Sequence, residues 1–470
     1  MKKIKTFWAE ITEKSILFPK RTGFELIPEY YTVIVLFLYP LFFSEDRIVL
    51  IFSQKIFIFC LLTVCAAFCC IRLYGRKQLS MKIRMSWFDI LLAVSAIMLM
   101  IRTFIKIFQN DTSYEQEVFL WCLIISFFLL KFFGRREGSY LNLFLSSAIL
   151  ICLESIKYIL SGTDFFLGVS VMFENPQYLA SYFLLVSCTA SVLYCNEKRE
   201  RWSKFYMIIS LIGYITILLH KDTISVCLLG LFLLCIPLAF PPTVSLVRRN
   251  LFLCFAFLFI MSNIPLLQYA GGISLKERYD LSDSVYIDLF LAFAIVFIRQ
   301  YWKKVPKDRD PDRVLMKRFQ RWYRRATIAV LFILIAIVLI GSSMEGISER
   351  NGIKMLKVFV ASIQSSISSG ESFYQQLLEN YGVVGCLLWI FVTVLILEKI
   401  IKKWKKADDL RKIYFSLSIL FFSQTFFYQI QPVSTPAFVA LLALSLSEEY
   451  EEKTMYIRKP FRNKKNVTEI

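Results

Sequence analysis

The chain has 470 residues, 57% of them hydrophobic, with a mean hydropathy of +0.57. Soluble globular chains carry roughly 45–50% apolar residues, and here the excess lies in long blocks near the ~20 residues that span a bilayer. The formal net charge of +19 would suit a nucleic-acid binder, but the basic residues sort between alternate loops, as in membrane topogenesis, so composition argues against both a soluble enzyme and a nucleic-acid partner.

Residues 1–27 are polar and basic and read as a cytoplasmic N-terminal segment; no cleavable signal peptide is evident, and the first apolar run reads as a span. About 14 spans follow, with approximate limits 28–44, 48–71, 87–107, 118–134, 140–160, 178–195, 205–219, 223–240, 251–270, 284–298, 326–343, 381–398, 413–428 and 435–447. Pro237 interrupts the eighth, and the last is the shortest. The reading is an all-α polytopic membrane protein: one transmembrane helical domain over 28–447, then a cytoplasmic tail over 448–470. With the N-terminus inside, the great majority of Lys and Arg face the cytoplasm, which also places the C-terminus inside. The outer loops keep only Arg47, Lys221, Lys276, Arg278, Arg350, Lys354 and Lys357.

Two inner loops are strongly basic. Residues 299–325 carry Trp302, Trp322 and Tyr323, and residues 399–412 include Lys402, Lys403, Lys405 and Lys406. Both suit anionic headgroups. The largest outer segment, 344–380, places Ile353, Leu356, Val360 and Ile363 at helical spacing, then Phe373 and Leu377. This predicts two amphipathic helices on the outer face, joined by a hinge near Ser368–Gly370. The 12 cysteines lie in or beside apolar segments and read as small buried residues. No internal repeat is visible.

No nucleotide-binding or zinc-protease motif is present, and His220 is the only histidine, so no metal site and no cofactor are expected. Within spans, Glu154 and Lys157 share a helix face and read as an ion pair. Lys55, Asp89, Arg102, Lys106 and Asp288 lie near span ends, where snorkelling accounts for them. The outer face is more informative. His220, Lys221 and Asp222 form a tight turn, followed by Lys276, Arg278 and Arg350. Outer basic residues run against the topological bias, and an anionic headgroup or pyrophosphate would favour them.

Three outer segments carry a family resemblance. FENPQYLASYFLL (173–185) resembles the Phe-x-Asn-Pro-Asn opening of a span, and LLHKDTISVCLLGL (218–231) resembles a short outer turn with Ser-Arg, Lys221 standing for the arginine. ERNGIKMLKVFVASI (349–363) and ESFYQQLLENYGVVGCLLWI (371–390) resemble a loop in which arginine starts one helix and His-Asn-x-Tyr-Leu-Gln starts the next. Arg350 matches the arginine; Tyr374, Gln376, Gly382 and Gly385 match the motif's tail; Glu371 and Ser372 replace the histidine and asparagine. The chain thus resembles the O-antigen polymerase/ligase family of bacterial envelopes.

That resemblance implies a multi-pass protein of the bacterial cytoplasmic membrane. It would transfer glycan from an undecaprenyl-pyrophosphate-linked donor to an acceptor hydroxyl on a second glycan or lipid, beside other envelope assembly proteins. Arg350 and Glu371 would be catalytic. Lys221, Arg278, Lys276, His220, Tyr374 and Gln376 would bind the pyrophosphate and glycan. Two alternatives stand beside it: a lipid-linked oligosaccharide flippase, and a non-catalytic relative that binds carrier lipid or a partner enzyme.

Overall fold

The structure is a computed structural model. It describes residues 27–42, 48–75, 86–109, 115–160, 176–219, 222–240, 243–270, 373–425 and 431–447, with single positions at 321, 322, 325, 328, 329 and 428. Among these residues all regular structure is helical, and 91% of them lie in helices. The elements are α1 (Ile27–Val33), α2 (Ile48–Gly75), α3 (Trp87–Phe108), α4 (Glu115–Phe133), α5 (Gly138–Leu160) and α6 (Pro176–Asn196). Then come α7 (Glu200–Leu219), α8 (Thr223–Ala239), α9 (Val244–Ala270), α10 (Phe373–Trp404), α11 (Asp409–Thr425) and α12 (Ser434–Leu446). α1 runs on through a π turn over Ile34–Leu38 and a 3-10 turn over Tyr39–Leu41.

Among the described residues five helices are long and apolar enough to cross a membrane: α2, α3, α4, α6 and α10. In hydrocarbon a backbone must satisfy its own hydrogen bonds, which is why continuous Leu-, Ile- and Phe-rich runs become helices. The chain is a multi-pass membrane protein on this ground. The expected spans 284–298 and 326–343, the basic loop 299–325 for the most part, and outer segment 344–372 lie outside the described residues.

Side-chain contacts align the helices in alternating directions. Tyr206 on α7 donates to Asn142 on α5 at 2.6 Å, Tyr414 on α11 donates to the Glu137 carbonyl at 2.9 Å, and Arg249 on α9 reaches the Tyr194 carbonyl at 2.9 Å. All belong to the end where α1 begins, called basal here; the opposite end is distal. The core centres on α6 and α12. Every residue of the 13-residue α12 is buried, and α12 packs against α1, α4, α6 and α11. α2, α3 and α10 are peripheral and turn large apolar side chains outward, among them Phe57, Phe68, Trp87, Phe108 and Phe391.

Small residues let α6 and α7 approach closely. A Cβ at Gly213 would sit 2.1 Å from Ser187 Oγ. Beside it Ser191 bonds the Tyr214 hydroxyl at 2.6 Å. Without a hydrophobic drive between helices, such close packing and hydrogen bonds do the work of association.

Charges near helix ends do not snorkel as expected. Ser86 and Asp89 form a capping box on α3, Ser86 N donating to Asp89 Oδ2 at 2.8 Å. The Lys131 ammonium on α4 donates to the other oxygen of that carboxylate and lies 4.3 Å from the Phe88 ring centroid. At the distal end Arg102 Nε and Lys106 Nζ lie 3.1 and 2.9 Å from Glu117 Oε1. The reason is burial: the Asp89 and Glu117 side chains are buried, and each ion costs least when paired. Lys55 is likewise buried. The side chains of Glu154 and Lys157 lie outside the described residues.

Lys131→Ala leaves Asp89 buried and uncompensated, a loss of about 3–5 kcal/mol. The double change Asp89→Asn with Lys131→Met recovers most of it. Thermal melts of the two variants in detergent check this, and equal losses in both would contradict it.

Candidate functional site

The distal end holds a polar floor built on the connection between α11 and α12. The Phe373 amide, which opens α10, donates to the Tyr428 carbonyl at 3.0 Å. The Tyr428 hydroxyl donates to Asp222 Oδ2 and lies 3.0 Å from Ser225 Oγ. Asp222 is the N-cap of α8, its Oδ2 accepting from Ser225 N at 3.2 Å. One tyrosine thus ties the turn before α8 to the start of α10.

A second polar group sits alongside. Gln431 N donates to Thr435 Oγ1 at 2.9 Å, and Ser434 Oγ donates to the Gln431 side-chain carbonyl. Ser181 Oγ, in the second turn of α6, lies 3.3 Å from Ser434 Oγ, and Gln424 Nε2 reaches the Ser181 carbonyl at 3.5 Å. The Tyr39 hydroxyl donates to the Pro432 carbonyl at 2.5 Å. The starts of α8, α10 and α12 therefore meet here. Helix N-termini carry partial positive charge and unpaired amides, which favour anions. Burial pushes the Asp222 carboxyl above the usual carboxylate range, although the Ser225 and Tyr428 hydrogen bonds oppose the shift.

α10 reverses direction at Gly382, whose φ of 67° and ψ of −175° interrupt the helix. Tyr374 Oη lies 3.2 Å from Thr393 Oγ1, and the Phe373 and Trp389 rings sit 5.8 Å apart, edge to face. In a straight helix residues 374 and 393 would be ~28 Å apart. Residues 373–381 therefore double back along 383–404. The second amphipathic helix was expected along the outer face; instead Phe373 and Leu377 are buried against the bundle, because Gly382 permits a reversal that other residues resist. Arg102 stacks 4.5 Å from the Tyr381 ring centroid, beside this elbow.

An apolar cavity of ≈ 80 Å³ adjoins the polar floor. Leu123, Phe127, Trp389, Ile396 and Phe421 line it, and Phe373, Tyr374, Thr425 and Thr435 form its border with the floor. It lies between α3, α4, α10, α11 and α12.

Of the residues singled out from sequence, Tyr374 borders this cavity. His220, Lys221, Lys276, Arg278, Arg350 and Glu371 lie outside the described residues, as does the Gln376 side chain. The structure does join two of the segments that carried the resemblance. Asp222 follows His220 and Lys221, Phe373 follows Glu371 and Ser372, and Tyr428 bonds both Asp222 and Phe373. The sequence reading missed Tyr428, Gln431 and Tyr39. The available signal was the polar, proline-punctuated stretch Tyr428–Pro436 between two apolar runs. Among the described residues no group of three or more His, Cys, Asp or Glu could hold a metal ion.

Comparison with known proteins found no matching family model, no matching curated protein and no matching solved structure.

Cysteines introduced at Tyr374 and Thr393, in a background freed of native cysteines, should be joined by a short bifunctional maleimide. Gel mobility after cleavage between them reads the cross-link. Failure to cross-link would show a continuous helix. Gly382→Ala should cost about 1–3 kcal/mol in a thermal melt, because alanine resists positive φ.

Proposed function

We propose that the chain is an envelope polysaccharide polymerase or ligase, taking glycan from an undecaprenyl-pyrophosphate-linked donor. The observation that carries this reading is the juxtaposition at the distal end. A polar floor at converging helix starts borders an apolar cavity. A polyprenyl pyrophosphate has the same division: an anionic head on an isoprenoid tail. The helix starts suit the head, and the cavity suits the first isoprene units.

The proposal carries further terms. About 14 spans with both termini inside turn the distal end to the outer face of the bacterial cytoplasmic membrane, as the Lys and Arg distribution favours. Lys221, Arg350 and Arg278 hold the pyrophosphate and stabilise its charge as it leaves, with Lys276 and His220 beside them. Glu371 orients or deprotonates the acceptor hydroxyl. Tyr374, at the cavity border, and Gln376 contribute to binding the pyrophosphate and glycan. No cofactor enters, since the lipid pyrophosphate is itself the leaving group.

The test is a transfer assay in proteoliposomes, with undecaprenyl-pyrophosphate-linked oligosaccharide extracted from a host lacking this gene. The wild type should release free carrier pyrophosphate and lengthen or attach glycan. Arg350→Ala should lower the rate about 10²–10³-fold. Glu371→His should retain transfer and Glu371→Gln should lose it. Donor crossing the bilayer without transfer would replace this reading with a flippase. Donor binding with neither transfer nor crossing would leave a non-catalytic carrier-lipid binder.

A further inference from the structure

We propose that the basal ends of α3, α4 and α10 form a binding site for an anionic phospholipid of the surrounding bilayer, its phosphate held by Lys399 and Lys403 beside Trp87. Such a site is independent of glycan transfer.

A lysine near the end of a spanning helix ordinarily extends its stem so that the ammonium reaches water. Lys399, near the end of α10, is held otherwise. Its ammonium donates to Ser86 Oγ, just before α3, at 3.3 Å and lies 4.5 Å from the Phe88 ring centroid. Ser86 Oγ in turn donates to Asp89 Oδ2 at 2.5 Å, and the Lys131 ammonium takes the other oxygen of that carboxylate. Lys131 leans on the same Phe88 ring, 4.3 Å from its centroid. Two ammonium groups therefore share one ring. Lys403, one turn beyond Lys399, acts electrostatically on Lys131 together with Lys399.

Three lysines from two helices thus gather around Asp89, and among these described groups the charge balance is positive. Like charges held together in a partly buried corner raise one another's cost, and an anion among them lowers it. The sequence around the corner strengthens the balance. Residues 398–406 hold Lys399, Lys402, Lys403, Lys405 and Lys406 against Glu398, which pairs with Lys402. The carboxylates that follow, Asp408 and Asp409, are engaged by Arg136 and Lys412. Residues 76–85, which precede Ser86 in the chain, contain Arg76, Lys77, Lys82 and Arg84 and no acid. Topological bias asks only for basic residues somewhere in an inner loop, and Lys402 in the last turn of α10 already suits the helix dipole. Neither calls for Lys399 to be pinned against α3.

The surface beside these lysines indicates what the anion is attached to. Trp87 opens α3 and is 80% exposed, as suits an indole at headgroup level. Ile90 and Val94 continue outward from it at helical spacing, and Phe391 and Val394 point outward on α10. Apolar stripes of this kind cover themselves with acyl chains. An acidic peptide or a free anion would satisfy the lysines and leave the stripes bare. A phospholipid satisfies both, and basic pockets between spanning helices are suited to anionic headgroups.

The experiment places the photo-crosslinking residue p-benzoylphenylalanine at position 90 of the full chain, in vesicles of equal phosphatidylcholine and phosphatidylglycerol. Mass spectrometry identifies the lipid captured. The same residue at position 57, outward in the distal half of α2, reports the bulk bilayer. Phosphatidylglycerol should be enriched about threefold or more at position 90 over position 57. Lys399→Gln with Lys403→Gln should abolish the enrichment. Lys399→Arg with Lys403→Arg should keep it, and so should Lys405→Gln with Lys406→Gln, which removes the same charge from the exposed turn. Equal capture of the two lipids at position 90 would overturn the site. So would equal loss in the two glutamine pairs, which marks general attraction to a basic surface. Enrichment that appears only after removal of residues 448–470 would also overturn it, because Glu448, Glu449, Glu451 and Glu452 of the tail would then be the occupant.

Discussion

The distal half of this bundle depends on one constraint: α12 is wholly buried and too short to cross. Its 13 residues rise ~20 Å against a hydrocarbon core of ~30 Å. The described backbone just before it, Gln431–Val433, is buried and non-helical, and buried backbone groups demand partners. Tyr39 supplies one to the Pro432 carbonyl and Thr435 supplies one to the Gln431 amide. Ser434 and Ser181 extend the set. The polar floor is the means by which a non-helical connection sits inside an apolar bundle.

The same connection organises what lies around it. Tyr428 uses its carbonyl on Phe373 and its hydroxyl on Asp222. That draws the reversed segment of α10 against α11 and leaves an apolar cavity beside the floor. Buried ion pairs hold the peripheral helices in register. Asp89 with Lys131 joins α3 to α4 at the basal end, and Arg102 and Lys106 with Glu117 join the same helices at the distal end. Pairs of this kind are expensive to break singly and fix register more than they add stability.

Much of the bundle is legible in the sequence, because a bilayer forces apolar runs into helices of known length. The runs at 48–71, 87–107, 118–134 and 178–195 fall on α2, α3, α4 and α6, each long enough to cross. Partnering is not legible. Asp89 and Lys131 are 42 residues apart, and nothing in either segment names the other. The reversal at Gly382 is a single dihedral angle, so the apolar spacing of Phe373 and Leu377 reads as a surface helix although the bundle takes it in. The floor is only half legible: Asp222 stands in a turn of outer polar residues, whereas Tyr428 reads as the aromatic end of a span.

Photo-labelling tests the central claim most directly. The probe is undecaprenyl pyrophosphate bearing a diazirine in its first isoprene units, added to the full chain in proteoliposomes, with labelled peptides mapped by mass spectrometry. Labels should concentrate on the cavity border, at Phe373, Tyr374, Trp389 and Phe421, and competing unlabelled carrier pyrophosphate should remove them. Labels confined to the outward apolar faces of α2 and α3, and unmoved by competitor, would mean that the carrier treats this protein only as part of the membrane.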